Sequence, residues 1–410
     1  MRILHVNKFF DLRGGAETYL HDLMTRQAAR GHEVHVLSTR FAQNLPSPDE
    51  HLFVTRYDYS RSEGLVKDAR KAISFLWNSE ARRAMRQTIA EYHPDIIHLH
   101  NIYHHLSSSI LGVIRASGIP CVQTLHDFKL ACPNYKMFTE GAICERCKGG
   151  HYLQAVKHHC LWPTFSGNML AAMEMGLTKA TQAYERTVSV FLCPSQFMVD
   201  KMRDWGEPPS KLKLLRNPAE VSERQATLDG GYLLFAGRLS PEKGVETLIR
   251  AVARIPECNL KIAGTGPEEA RLKQLAEMLG ARNILFPGFI RRDRNLELWE
   301  KAQALVMPSI WHENASISVL EAMAQGLPVI ASRTGGLPEQ IEHQISGLLV
   351  APGDIDAWES AIRNFLALPL DWRKQMGQAA RQRLLEIFSW EKHLQLLDEV
   401  YTSLGKLKWH

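Results

Sequence analysis

Two doubly wound α/β domains in tandem, facing each other across a cleft, are the fold class this sequence predicts. Three observations lead there. The chain has 410 residues, more than one ordinary core holds at roughly 100–200 residues per domain. Its first forty residues read as an apolar strand, an amphipathic helix and a second apolar strand, the opening of a parallel sheet. The same rhythm restarts after residue 231. Composition agrees: 45% apolar and 23% charged residues exclude a coiled coil, a collagen and a disordered chain.

The first strand, Ile3-Leu4-His5-Val6, runs into a polar loop ending Arg13-Gly14-Gly15. A helix over 16–29 follows, with Leu20, Leu23 and Met24 on one face, and Gly31 stops it before a strand at 33–37. Further strands are expected at 95–99 and 120–125. The second series places strands at 232–236, 260–263, 284–286, 304–307 and 329–331, with helices at 245–253 and 268–279. The polar, turn-rich stretch 217–231 reads as a linker. The domains are therefore 1–216, carrying a cysteine-rich insert at 130–162, then 232–388, and a final amphipathic segment 389–410 expected to return to the first domain. Ligands of such sheets bind at the strands' carboxyl ends.

No apolar run approaches the roughly 18–20 residues of a membrane span, and the N-terminus lacks the pattern of a secretory signal. A cytoplasmic chain is expected, at most peripheral at the inner face of the plasma membrane. The net charge of +5 is dispersed, which argues against nucleic acid and suits polyphosphate ligands or an anionic membrane surface.

Three segments carry chemistry. In Phe235-Ala-Gly237-Arg238-Leu-Ser-Pro-Glu-Lys243-Gly244, a strand ends beside two cations and a helix start, a pattern that suits a diphosphate; by itself it is equally a basic surface turn. Gly264-Thr-Gly266-Pro follows another strand, but Glu269 stands where a dinucleotide fingerprint needs its third glycine. This disfavours an NAD-dependent oxidoreductase. Glu313 and Glu321 lie eight positions apart, the first in a loop and the second in an apolar helix stopped by Gly326. A carboxylate in such a helix needs a partner, and ribose hydroxyls are natural ones.

Together these segments, with Gly14-Gly15-Ala-Glu17 and Leu125-His126-Asp127, resemble the family 4 retaining glycosyltransferases (glycosyl transferase group 1), whose B-type fold (GT-B) is two Rossmann-like domains. The similarity spans nearly the whole chain. It implies an acceptor-binding first domain and a donor-binding second one. Arg238 and Lys243 would hold the donor diphosphate, Glu313 the donor sugar, Glu321 the ribose, and Gly14 and Gly15 would close over the phosphate. His126 would contact the sugar near the reacting carbon; its other reading is a histidine capping a strand. Asn217 matches a family asparagine usually followed by glycine, where this chain has Pro218. Gly237, Gly264, Gly266, Phe289, Ile290, Ala315 and Ser316 would complete the donor site, with His100 and Asp127 on the acceptor side.

The implied reaction moves a hexose-type sugar from a UDP- or GDP-sugar to a saccharide or polyprenyl-linked saccharide, in cell-envelope or exopolysaccharide synthesis, by same-face substitution. The one Asp-x-Asp, Asp354-Ile-Asp356, reads as a helix cap, and the two cations can carry the leaving charge, so no catalytic metal or other cofactor is expected. A non-catalytic nucleotide-sugar binder and a two-domain sugar-nucleotide epimerase are the alternatives. A phosphorylase would need a pyridoxal-phosphate lysine, and none is identified.

Cys132, Cys144, Cys147 and Cys160 fall within the insert, and Cys144-x2-Cys147 has the spacing of a chelate knuckle. A structural tetrahedral Zn2+ is expected there, with His151, His158 and His159 as substitute ligands; reduced thiols or a labile disulfide are the other reading. His98, His100, His104 and His105 are expected to line the cleft, with metal binding the lesser reading. Residues 65–89 read as one basic amphipathic helix, suited either to a membrane surface or to ordinary packing.

Overall fold

The computed structural model describes residues 1–59, 61–289 and 296–406. The first sheet holds β1 (Arg2–Val6), β2 (Glu33–Leu37), β3 (Ile96–Leu99) and β4 (Cys121–Thr124). After an insert bearing a small antiparallel hairpin, β5 (Phe138–Thr139) and β6 (Ala142–Ile143), come β7 (Val190–Cys193) and β8 (Leu212–Leu214). Its order is β2-β1-β3-β4-β7-β8, and every pairing is parallel.

The second sheet holds β9 (Tyr232–Ala236), β10 (Asn259–Ala263), β11 (Ile284–Gly288), β12 (Ala304–Met307), β13 (Val329–Ser332) and β14 (Gly347–Val350). Its order is β11-β10-β9-β12-β13-β14, again wholly parallel. Helices cover both faces, so β3, β4, β12 and β13 are buried along their whole length. Strand order reverses between β1 and β3 in one sheet and between β9 and β12 in the other. Those reversals open a crevice at the carboxyl ends.

The last helix, Trp390–Lys406, lies on the first sheet. Leu394, Leu397, Val400 and Tyr401 share one buried cluster with Ile3, Leu23, Ile96, Val122 and Leu192. The chain crosses between domains twice, and the crossings touch: Ala219 pairs with Ser389, and its N–H donates to the Phe388 carbonyl at 3.0 Å. The stretch 217–231 is no free tether, since Ala219 and Leu228 are buried in the second domain's core.

The helix expected over 65–89 is two helices, Leu65–Leu76 and Ser79–Tyr92. Trp77 takes an extended conformation, and the Asn78 side chain accepts from the Ala81 N–H at 2.9 Å. Asparagine at that position starts a new helix more readily than it continues an old one.

Candidate active site

A cleft of about 550 Å³ lies between the sheets and gathers the ends of β1, β9 and β12 with the loops that follow them. Its walls include Gly14, Gly15, His126, Asn217, Gly237, Arg238, Lys243, Glu313, Ala315 and Ser316, ten of the residues expected from sequence. A larger groove of about 830 Å³ beside β14, walled by Leu348, Phe365 and Trp372, contains none of them.

Two helix starts meet across the cleft. Gly14 precedes the helix Gly15–Ala29, and Ser316 caps Ile317–Ala324, its Oγ accepting from the Val319 N–H at 3.4 Å. A Cβ on Gly15 would stand 3.2 Å from the Ile317 side chain, so the two helix starts adjoin, and both line the cleft. Helix N-termini attract anions.

Lys243 Nζ donates to Glu313 Oε1 at 2.6 Å, and Ser309 Oγ donates to the same oxygen at 2.6 Å. Burial alone would raise the Glu313 carboxyl, but the Lys243 ammonium and these hydrogen bonds outweigh it and hold it below the ordinary carboxylate range. Arg238 is exposed, and no ion pair among the described residues holds it. Asn217 is buried, and its Oδ1 has no hydrogen-bond partner, an acceptor left for a ligand.

On the opposite wall, His126 ends a chain of buried imidazoles. His5 Nε2 donates to Gln27 Oε1 at 2.7 Å. Because that amide oxygen only accepts, His5 Nδ1 must accept from His100 Nε2 (3.1 Å), and His100 Nδ1 from His126 Nε2 (2.9 Å). His126 Nδ1 is thereby left as an acceptor. Burial lowers His126 to about 4, so the ring is neutral at pH 7. His5, His98 and His100 bring ring nitrogens within 4.8 Å of one another, a spacing that could hold a metal. Every one of those nitrogens is already bonded, however, with His98 taken by Tyr401 and Thr124.

The remaining expectations are redistributed. His100 sits fully buried behind His126, and neither it nor His98, His104 or His105 lines the cleft. All four are buried, and His104 stacks on Phe75 at 4.2 Å. Asp127 bonds the Tyr103 hydroxyl and accepts from the Lys129 N–H at 3.0 Å; it lies outside the cleft wall.

Gly264 and Gly266 brace the arginine loop from behind: a Cβ would stand 1.8 Å from the Gly237 carbonyl oxygen in the first case and 2.2 Å from that of Leu239 in the second. Glu321 is half-buried on the helix Ile317–Ala324, outside the cleft wall. Phe289 is exposed after β11, and Ile290 lies outside the described residues. Asp354 caps the helix Ile355–Ala367, its side chain accepting from the Ala357 N–H at 2.9 Å.

Lys8, Arg13, Glu17 and Asn101 line the cleft without having been assigned to it. The signal was available: Lys8 follows β1 and Asn101 follows β3, the two strands at the reversal. Lys8 lies over the Tyr103 ring at 3.3 Å, and burial, against the pull of Asp127 and Glu17, lowers it to about 7. Glu17 moves the other way, raised by burial.

Comparison with known proteins agrees with this architecture. Glycosyltransferase Family 4 matches residues 13–223, and glycosyl transferases group 1 match 219–383. Glycogen synthase of Mycobacterium tuberculosis is 24% identical over 98% of this chain and 95% of its own. D-inositol 3-phosphate glycosyltransferase of Streptomyces griseus is 26% identical over 95% and 84%. An uncharacterized glycosyltransferase of Methanocaldococcus jannaschii is 37% identical over 40% of this chain, which spans 42% of that protein.

Among solved structures, sucrose-phosphate synthase from Thermosynechococcus elongatus superposes with a TM-score of 0.73 at 20% identity, covering 99% of this chain and 100% of that one. HepE of Anabaena, in complex with UDP and glucose, gives 0.69 at 20% identity over 98% and 100%. The fold is GT-B, and with the first family spanning half of its length the chain belongs to Glycosyltransferase Family 4.

Proposed function

We propose that the chain is a retaining hexosyltransferase that moves a sugar from a UDP- or GDP-sugar to a saccharide or lipid-linked saccharide acceptor in envelope or exopolysaccharide synthesis. One observation carries this reading: the Lys243–Glu313 pair, with Arg238, lines the same cleft as two helix N-termini. A diphosphate fits between cations and amides, and an uncharged sugar does not need them.

In this reading the bond between the anomeric carbon and the phosphate oxygen breaks as negative charge grows on that oxygen. Arg238, Lys243 and the amides after Gly14 and Ser316 stabilise it. The acceptor hydroxyl bonds to the same face of the sugar and passes its proton to the departing phosphate oxygen. Double displacement would need a carboxylate free to attack. Glu313 is held by Lys243 and Ser309, and Glu17 folds back so that its Oε2 stands 3.2 Å from a Cβ position on Gly14. Neutral His126 offers Nδ1 to a sugar hydroxyl and orients it. Asn217 Oδ1 supplies a further acceptor. The donor sites also proposed for Glu321, Phe289 and Ile290 rest on the resemblance.

Incubation with UDP- and GDP-hexoses, with and without saccharide and polyprenyl-phosphate-linked acceptors, tests the reading. Nucleoside diphosphate should be released faster with a matching acceptor, and NMR should find the donor's anomeric configuration in the product. An inverted product, or binding of nucleotide sugar without release in any combination, overturns it.

A further inference from the structure

The cysteine insert forms a site independent of the sugar chemistry. Four backbone segments converge there. Cys132 ends the turn after β4, its N–H donating to the Phe128 carbonyl at 2.8 Å. Cys144 follows β6 and donates to the Met137 carbonyl at 2.8 Å. Cys147 opens a tight turn closed by the Gly150 N–H onto its carbonyl at 3.2 Å, and Cys160 donates to the Ala155 carbonyl at 3.1 Å after a short helix. All four side chains line one small cavity of about 10 Å³, with Arg146 and His158 on its wall. All four are free cysteines, two buried and two half-buried.

The surrounding backbone is held in an unusual state. Tyr135, Met137, Glu140 and His159 all take left-handed φ values between 45° and 53°, conformations that persist only where something over-determines them. Met137 is buried in the first domain's core, and Phe138, Ala155 and Val156 are buried too, but the hairpin that leads to Cys144 has two residues per strand and an exposed β6.

We propose that Cys132, Cys144, Cys147 and Cys160 bind one structural Zn2+ as four thiolates. Binding forms four Zn–S bonds and releases the four thiol protons. The resulting tetrathiolate centre carries a formal charge of −2, and Arg146 stands on the cavity wall, where it also pairs with Glu140 at 2.7 Å. The sulfurs ring the cavity more widely than the three histidine nitrogens are spaced, and Cys132 Sγ donates to Asn134 Oδ1 at 2.9 Å, so binding requires the cysteine side chains to rotate inward onto the ion. Of the substitute ligands, His158 gives Nδ1 to Glu140 at 2.9 Å, and His151 and His159 are exposed away from the cavity. The organised insert reaches the donor loop, where Lys136 Nζ meets Glu242 at 2.9 Å.

Tag-free protein purified without added metal, then incubated with zinc sulfate and desalted, should hold about one zinc per chain by mass spectrometry. Cobalt chloride in place of zinc should give thiolate-to-metal charge transfer with tetrahedral d–d bands, a readout that needs no variant. The Cys144→Ser/Cys147→Ser double variant should lose the metal. Less than about half an equivalent in the wild type, octahedral cobalt without charge transfer, unchanged zinc in the double variant, or a disulfide among these four cysteines in the native protein would each overturn the site.

Discussion

At the scale of single residues, charge at the cleft is decided by pairs. Lys243 holds the Glu313 carboxyl below its ordinary range against the upward pull of burial, and the same ammonium lines the cleft. Lys243→Ala should lower kcat/KM for the nucleotide sugar by roughly tenfold or more, about 2–4 kcal/mol of barrier; unaltered kinetics in a folded variant would remove the pair from the chemistry. Both residues were legible in the sequence because spacing placed each at the end of a strand. His100 was misplaced for the opposite reason. A histidine at a strand end looks the same in sequence whether it meets solvent or a second imidazole, and here it meets His5 and His126.

At the scale of elements, the split of 65–89 leaves the helix Leu65–Leu76 with Phe75 buried and three other apolar residues outward. Leu65 is 92% exposed, Val66 85% and Ile73 67%, beside Lys67 and Arg70. Apolar side chains interleaved with cations on an open helix suit an anionic bilayer surface, and no described helix is long and apolar enough to cross one. The protein should float with phosphatidylglycerol vesicles at low salt, detach as salt screens the cations, and lose flotation in Val66→Asp/Ile73→Asp. Failure of the wild type to float at low salt would exclude the surface. The glycines of the Gly264-x-Gly266 loop belong to this scale too. Sequence marks them as a tight turn, and the structure shows that the turn packs loop on loop, because any Cβ there would strike a carbonyl.

At the scale of the whole molecule, the last helix completes the first domain's core from the far end of the chain. Leu397 is fully buried, and Leu397→Ala should cost about 2–5 kcal/mol, read as a lower urea midpoint; a cost under about 0.5 kcal/mol, the scale of a surface change, would mean the helix is peripheral. The imidazoles set a pH dependence. Burial lowers His5, His126 and His393 to about 4, and His98 and His100 well below their ordinary value. In the unfolded chain each takes a proton near its ordinary 6.5. Between that value and about 4 the unfolded state binds protons that the folded state refuses, so stability is lost as pH falls, at about 1.4 kcal/mol per pH unit for one such ring. Lys8, lowered to about 7, acts in the same direction above pH 7. Urea midpoints should therefore fall steeply from pH 6.5 to 5; a level profile there would mean the rings are solvated.

The sequence by itself determined the tandem parallel sheets, the two cations after β9 and the cap at Asp354. Each follows from local periodicity or from residues a few positions apart, where side-chain pattern and backbone geometry are tied directly. The tertiary structure alone decided which strand-end residues open to the cleft, and that Lys8 and Glu17 join it while His100 and Asp127 stand behind it. Those outcomes depend on strand order and on contacts across as many as three hundred positions, as between His98 and Tyr401. No periodicity within one segment records them.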